Sequence, residues 1–126
     1  MNDPSSTTVS NRKIGSNAEE MACRVLAEKG YKILKRNFQI RGGEIDIIAF
    51  DLVSSEIVFV EVKTRTNIKY GKPKEAVNET KQKHIYRTAQ YYLIKNKLED
   101  RFVRIDVIEV YLYKNSYKIN HIKQII

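Results

Sequence analysis

Two strand-like segments occupy residues 44–64, EIDIIAFDLVSSEIVFVEVKT, on either side of a short turn. In the second segment, the positions that alternate from Ile57 and those that alternate from Val58 are both mainly apolar. Because successive side chains of a strand point to opposite faces of a sheet, this pattern predicts a central strand covered on both faces. The connection, residues 51–55, is too short for a crossover, so we expect the two strands to pair antiparallel.

The segments around this hairpin predict an α/β fold with the element order α-β-β-β-α-β-β. Apolar residues recur at helical spacing before Gly30, which is a natural helix stop. Pro73 stands where a second helix would begin. The predicted helices span residues 15–29 and 73–97, and the predicted strands span residues 31–40, 44–50, 56–64, 102–113 and 117–122.

The length of 126 residues favours one domain, residues 14–126, after a flexible N-terminal tail, residues 1–13. No run approaches the ~20 apolar residues of a membrane span, and no hydrophobic signal region opens the chain, so we expect a cytoplasmic protein with no membrane partner. Cys23 is the only cysteine, which excludes an intrachain disulfide and a multi-cysteine zinc site. We expect it to be a small buried hydrophobe. The two histidines, His84 and His121, lack a second ligand at metal-binding spacing, which argues against zinc hydrolases and histidine-metal nucleases.

Positive charge is concentrated in one third of the chain. The formal net charge is +8, and the stretch from Arg65 to Lys97 holds nine basic residues against two acidic ones. A polyanion is the natural partner of such a stretch, and the alternative is a solvated basic helix face with no specific ligand.

Charged side chains interrupt the two apolar strands at Asp46, Glu61 and Lys63. Regular alternation puts Asp46 on the face of Ile48 and Phe50, where an unpaired carboxylate would be costly to bury. If the strands pair antiparallel, Asp46 and Glu61 can converge on a Mg²⁺ ion, and Lys63 would lie beside it to orient or deprotonate a water molecule. The alternative is a salt bridge between Lys63 and one of the two acids.

The motifs that carry these charges closely resemble the YraN-like family of small predicted endonucleases. The matching stretches are Gly43–Ala49, Val58–Arg65 and Tyr70–Val77, with Lys81, and the match extends from Gly15 to Ile108. This family resembles a branch of the PD-(D/E)xK nuclease superfamily, whose relatives include restriction endonucleases and archaeal Holliday-junction resolvases. Two positions depart from the expected pattern: Ile45 stands in place of the proline, and Gln39 stands in place of a basic residue.

The resemblance implies a restriction-endonuclease-like fold, with a mixed central sheet and helices packed on it. It makes Asp46 and Glu61 ligands of Mg²⁺ or Mn²⁺, together with the backbone carbonyl of Val62, and it makes Lys63 the catalytic lysine. Glu19 matches the position from which related resolvases add a further acid. The alternative is that Glu19 and its neighbour Glu20 are first-turn acids that stabilise the helix N-terminus.

The basic stretch supplies the expected contacts with the substrate, which the resemblance implies is branched or structured DNA. The expected nucleic-acid-binding residues are Arg65, Lys69, Tyr70, Lys72, Lys74, Lys81 and Gln82. Contacts with phosphates would give affinity without sequence preference. Lys81 and Gln82 reach either the site or the DNA backbone, and the alternative for both is a solvated helix surface. Tyr70 either stacks on a base or packs against its own loop.

Three alternatives stay open from the sequence. RNA is the alternative substrate, and a non-catalytic nucleic-acid-binding module that retains the nuclease fold is the alternative function. Tyr91, Tyr92, Ile94 and Leu98 are more apolar than one buried helix stripe requires, which suggests a homodimer surface. Asp106, in the fourth strand, is expected to be a structural partner of Arg104 or Lys63 rather than a catalytic residue.

Overall fold

A computed structural model describes residues 11–65 and 79–124 of the chain. Seven elements follow one another in the predicted order, and the strand ends lie within a residue of the predicted ones. The elements are α1 (Asn11–Glu28), β1 (Tyr31–Ile40), β2 (Gly43–Asp51), β3 (Glu56–Arg65), α2 (Glu79–Lys95), β4 (Val103–Leu112) and β5 (Tyr117–Ile122).

The five strands form one mixed sheet in the order β1-β2-β3-β4-β5. The pairs β1–β2, β2–β3 and β4–β5 are antiparallel, and β3 runs parallel to β4 with Val60 opposite Asp106. A parallel pair needs a crossover connection, and α2 lies in that connection. This is the α/β architecture with a mixed central sheet that the sequence predicts for a restriction-endonuclease-like domain.

The two helices cover opposite faces of the sheet. Leu26 of α1 packs in one core cluster with Val58 and Val60 of β3. Ile85 of α2 packs in the other cluster with Ile57 and Phe59 of the same strand. β3 is therefore a central strand with two apolar faces, as its alternation predicts.

The start of α1 differs from the prediction. The helix begins at Asn11 rather than Gly15, so residues 11–13 are helical and are not part of a tail. Gly30 follows α1 with a φ of 92°, a left-handed conformation that ends a helix at little cost to glycine. Residues 1–10, the predicted flexible tail, and Pro73, the predicted start of α2, lie outside the described residues.

The alternation of β2 breaks at Asp46. Ile45 and Ile48 belong to the cluster under α2, whereas Ile47 belongs to the cluster under α1. In a regular strand, residues 45 and 47 would share a face, so the expectation that regular alternation holds through Asp46 is wrong. Asn37, across from this position on β1, has a positive φ of 52°, which marks the same irregularity on the edge strand.

A polar cluster holds the hairpin end of the sheet together. The buried Arg104 guanidinium donates hydrogen bonds to Asp106 and Asp51 at 2.9 and 3.1 Å, and to Glu56 at 2.8 Å. His121 lies 2.7 Å from Asp106 on the other side. The structural pairing of Asp106 with Arg104 is confirmed, and Cys23 is buried as expected. No helix among residues 11–65 and 79–124 has the length and apolar character needed to cross a membrane.

Candidate active site

Asp46 lies where the ladder between β2 and β3 ends. The last paired residues on this side are Ile47 and Val60. Beyond them, the backbone N–H of Val62 donates a hydrogen bond to Oδ2 of Asp46 at 2.8 Å. The Val62 N–H lies beyond the last β2–β3 pair and bonds to the Asp46 carboxylate instead of to a β2 carbonyl. This hydrogen bond holds the Asp46 side chain beside β3.

Asp46 also interacts electrostatically with three other carboxylates, those of Glu61, Glu19 and Glu44. Burial raises its pKa first, and the negative charges of Glu61 and Glu19 raise it further, against the opposing hydrogen bond from Val62. The result is a pKa of about 7 for Asp46. The structure thus brings together three of the acids selected from the sequence, one each from α1, β2 and β3.

Glu61 is buried at the same end of the sheet and contacts two lysines. Its Oε1 lies 3.0 Å from Nζ of Lys81 on α2 and 3.9 Å from Nζ of Lys63 on its own strand. Only 9% of Glu61 is exposed, so these ammonium groups supply the positive charge that a buried carboxylate needs. Lys81 was expected to reach either the site or the DNA backbone, and in the structure its ammonium lies in the site, beside Glu61.

The pKa values of the two lysines are shifted in opposite directions. Burial lowers the pKa of Lys63, and the neighbouring ammonium of Lys81 lowers it further. Burial also opposes the charge on Lys81, but its contacts with Lys63 and Glu61 raise the pKa of Lys81 overall. Lys63 is therefore the lysine that gives up a proton more easily, while Lys81 keeps its charge beside Glu61.

Glu19 and Glu20 have different surroundings. Glu20 is exposed and forms an ion pair with Arg36 at 2.8 Å. Glu19 points toward the site, where burial raises its pKa, and its buried Oε1 has no hydrogen-bond partner within the described part of the chain. Because α1 begins at Asn11, neither acid lies in the first turn, and the helix-terminus explanation for Glu19 does not hold.

The donor set fits a divalent cation held by two carboxylates. Asp46, Glu61 and the unpartnered Glu19 oxygen concentrate negative charge in a buried place, and oxygen donors are the ligands that Mg²⁺ and Mn²⁺ prefer. Across residues 17–65 and 80–124, no group of three or more His, Cys, Asp or Glu side chains has the geometry of a metal site. A metal here would therefore rest on two carboxylates and a carbonyl, the set that the sequence resemblance implies.

The sequence of the chain matches a known family over most of its length. The model of the uncharacterised protein family UPF0102 matches residues 18–110, which include every residue of the site. The chain belongs to this family. The match confirms the resemblance to the YraN-like proteins.

Individual UPF0102 relatives align over almost their whole length. A UPF0102 protein of Alkaliphilus oremlandii is 50% identical over 115 residues, which cover 90% of this chain and 97% of the relative. A UPF0102 protein of Clostridioides difficile is 48% identical and covers 90% and 96% of the two chains. Among solved structures, a repair endonuclease from Pyrococcus abyssi aligns with a TM-score of 0.39 and 21% identity, over 84% of this chain and 40% of that one.

The expected nucleic-acid contacts of this UPF0102 chain fall into three groups. Lys81 lies in the site, and Gln82 follows it half-buried on α2. The Nε of Arg65 is directed to the buried carboxylate of Glu109, at 3.5 Å. The remaining four expected contacts, Lys69, Tyr70, Lys72 and Lys74, lie outside the described residues.

The apolar residues expected to form a dimer surface also divide. Tyr92 and Leu98 pack into the core cluster under α2, and Tyr92 makes edge-to-face contacts with Phe38 and Phe59. Tyr91 and Ile94 are exposed. Only these last two are available for contact with another chain.

The sequence interpretation missed one buried acid and one cavity. Glu109 of β4 is fully buried and accepts hydrogen bonds from Tyr111 and Asn120 at 3.0 and 3.1 Å. Its signal was available, because it interrupts the apolar run of β4 as Asp46 and Glu61 interrupt theirs. A cavity of about 590 Å³ opens beside Glu61 and Lys81, between α2 and the β1–β2 turn. Its walls combine residues distant in sequence, so no local motif indicates it.

Proposed function

We propose that this protein is a divalent-metal-dependent nuclease that hydrolyses phosphodiester bonds of branched or otherwise structured DNA. The observation that carries the proposal is the meeting of Asp46 from β2 with Glu61 and Lys63 from β3 at one end of the sheet. A buried Glu61 beside a half-buried Asp46 is costly for the fold on its own, which supports a role that these acids perform with a bound cation.

Asp46, Glu61 and the Val62 carbonyl are the groups that would hold Mg²⁺ or Mn²⁺. When bound, the ion supplies Lewis-acid polarisation of a phosphoryl oxygen and stabilises the charge that develops there. The Val62 N–H fixes Asp46, and Lys81 fixes Glu61, so the acids are oriented before substrate arrives.

Lys63 is the group placed to manage the attacking water. Its ammonium lies 3.9 Å from the Glu61 carboxylate, and its lowered pKa suits a side chain that accepts or shares a proton. Lys81 keeps its charge and would stabilise negative charge on the phosphate. Glu19 adds a third carboxylate to orient water from the side of α1.

The preference for DNA that is branched rather than of defined sequence rests on the resemblance to the YraN-like family. The excess of basic residues between Arg65 and Lys97 supports binding through phosphates.

Cleavage assays on a substrate panel test the proposal. The panel contains a four-way junction, a flap, single-stranded DNA, a blunt duplex and a structured RNA, each with Mg²⁺, Mn²⁺ or EDTA. We expect metal-dependent cleavage of at least one structured DNA, and loss of at least 10²-fold in rate for Asp46→Asn, a substitution at the metal. Glu28→Gln, at the exposed end of α1, is the matched control.

Two outcomes would count against the proposal, one against the nuclease activity and one against DNA as the substrate. If the wild type binds nucleic acid tightly but cleaves no member of the panel with any metal, the chain is a non-catalytic binding module. If only the RNA is cleaved, the substrate class is wrong while the chemistry stands.

A further inference from the structure

Two residues of the candidate site also line the cavity beside it. Glu61 and Lys81, which contact each other in the site, also line this cavity of about 590 Å³. Anything bound in the cavity would therefore lie next to the phosphate held at the site. The volume falls within the range of roughly 300–1,000 Å³ that is usual for small-molecule pockets, which is enough for a nucleoside.

The far wall has a chemistry that suits a nucleobase. The side-chain amide of Gln39 donates to Oε2 of Glu44 at 3.2 Å, so an amide and a carboxylate stand together at the mouth. Ile40 and Ile85 supply apolar surface, and Thr80 and His84 of α2 supply further polar groups. A nucleobase has flat apolar faces and an edge of N–H donors and acceptors, which match these walls.

The same wall disfavours a phosphate. The carboxylate of Glu44 lines this wall, and a carboxylate repels a phosphate but accepts hydrogen bonds from the amino group of a base. The backbone of the substrate is thus expected to follow the basic side of the site, while a base enters the cavity.

A base that is paired inside a duplex cannot reach such a cavity. Its hydrogen-bonding edge is occupied, and its faces are stacked, so it must be unpaired or turned out of the helix first. This selects substrates in which a nucleotide next to the cleaved bond is already unpaired.

We propose that this cavity binds one unpaired nucleobase of the DNA substrate, so that the protein prefers cleavage sites flanked by an unpaired nucleotide, as at an overhang, a flap or a branch point. The inference rests on the proposed nuclease function and specifies its substrate class. Glu44 and Gln39 contact the edge of the base, and Ile40 and Ile85 contact its faces.

Fluorescence anisotropy with three labelled probes in EDTA tests the pocket without cleavage. The probes are a blunt duplex, the same duplex with a single-stranded overhang, and that overhang made of abasic sites, which keeps the phosphates and removes the bases. Because the abasic overhang keeps the phosphates and lacks the bases, the wild type should bind the normal overhang roughly tenfold more tightly than the abasic one.

Thr80→Trp fills the cavity from α2, and Gln90→Trp places the same indole on the exposed side of that helix as the control. The affinity ratio should fall to near one for Thr80→Trp and stay near ten for Gln90→Trp. If Thr80→Trp does not fold, Glu44→Ala gives a second test, with the exposed Glu99→Ala as its control. The ratio of the affinities for the normal and abasic overhangs should fall for Glu44→Ala and stay near ten for Glu99→Ala.

The outcomes separate the pocket from the nuclease. Equal wild-type affinities for the normal and abasic overhangs would overturn the pocket while metal-dependent cleavage, measured separately, leaves the nuclease intact. A ratio that survives both Thr80→Trp and Glu44→Ala would place the base elsewhere and overturn the inference. Absence of binding to all three probes, with no cleavage, would overturn both proposals.

Discussion

Two lysines contact Glu61, and their environments differ. Lys81 reaches Glu61 from α2 at 3.0 Å, and Lys63 reaches it along β3 at 3.9 Å. Burial lowers the pKa of Lys63, and the neighbouring ammonium of Lys81 lowers it further. In the proposed mechanism, Lys81 keeps its positive charge while Lys63 accepts or shares a proton. This requires the carboxylates of Asp46 and Glu61 to stay in place.

Replacing Lys63 separates a catalytic role from a structural one. Lys63→Ala leaves both carboxylates in place, so Mn²⁺ should still bind, while cleavage should fall by about 10²-fold or more because one positioned acid–base group is lost. Cleavage and thermal melting are measured on the same preparation, with the exposed Lys118→Ala as control. If Lys63 is only an ion-pair partner of Glu61, Lys63→Ala would melt at a lower temperature and the rate per folded molecule would not change.

Asp51 makes the stability of the hairpin end depend on pH. Burial would raise its pKa, but N–H groups of Val53 and Ser54 and the guanidinium of Arg104 lower it from 3.8 to about 2. A depressed pKa stabilises the fold above the unfolded value, so this contribution, on the order of 2 kcal/mol, is lost as the pH falls from about 4 to about 2.

Urea unfolding between pH 5 and pH 2.5 measures this contribution. The free energy of unfolding should decline less steeply with falling pH for Asp51→Asn than for the wild type, because the variant has no carboxylate to protonate there. The exposed Asp100→Asn should keep the wild-type slope. Equal slopes for Asp51→Asn and the wild type would contradict the prediction.

At the scale of elements, the strands follow from their sequence more closely than the site does. The strands predicted at residues 31–40 and 117–122 agree with β1 at Tyr31–Ile40 and β5 at Tyr117–Ile122. The start of α1 was not predictable in the same way, because its first turn, Asn11 to Lys13, carries no apolar residue. The break at Asp46 was not predictable either, because alternation assumes a regular ladder, and here the ladder ends one residue away.

Close packing of α2 on the β1–β2 turn depends on Gly43. A Cβ at this position would overlap the hydroxyl of the buried Thr88, which donates to the His84 carbonyl at 2.7 Å. Gly43→Ala should therefore destabilise the protein by about 1–3 kcal/mol, as overpacking does.

A double-mutant cycle tests this contact. Thr88→Ala removes the hydroxyl, so Gly43→Ala should cost less in that background than in the wild type, with a coupling energy of ~0.5 kcal/mol or more in thermal or urea melts. Equal costs in the two backgrounds would show that the hydroxyl does not limit the approach of the helix.

For the whole molecule, the chain brings acids from α1, β2 and β3 and a lysine from α2 to one end of a mixed sheet. The Asp46, Glu61 and Lys63 set was accessible from the sequence because these charges interrupt apolar strands. Glu109 interrupts the apolar run of β4 in the same way and was overlooked, whereas the cavity was not predictable because its walls combine residues distant in sequence. Affinity for DNA, by contrast, is expected from charge along the whole basic stretch.

Salt dependence measures that charge. Neutralising Lys69, Lys72 and Lys74 together should weaken DNA binding and reduce the slope of log K against log salt by about one unit for each lost phosphate contact. Anisotropy titrations at several salt concentrations give the slope. An unchanged slope would move the DNA path to another part of the surface.

Equilibrium binding of Mn²⁺ to the wild type and to Glu61→Gln, followed by calorimetry or by the spin signal of free Mn²⁺, tests the metal centre most directly. The wild type should bind the ion at Asp46 and Glu61, and Glu61→Gln should bind it at least tenfold more weakly, because a charged ligand has been replaced by a neutral one of the same shape. Equal affinity in the two proteins, or no binding by the wild type at millimolar Mn²⁺, would contradict a metal-dependent nuclease.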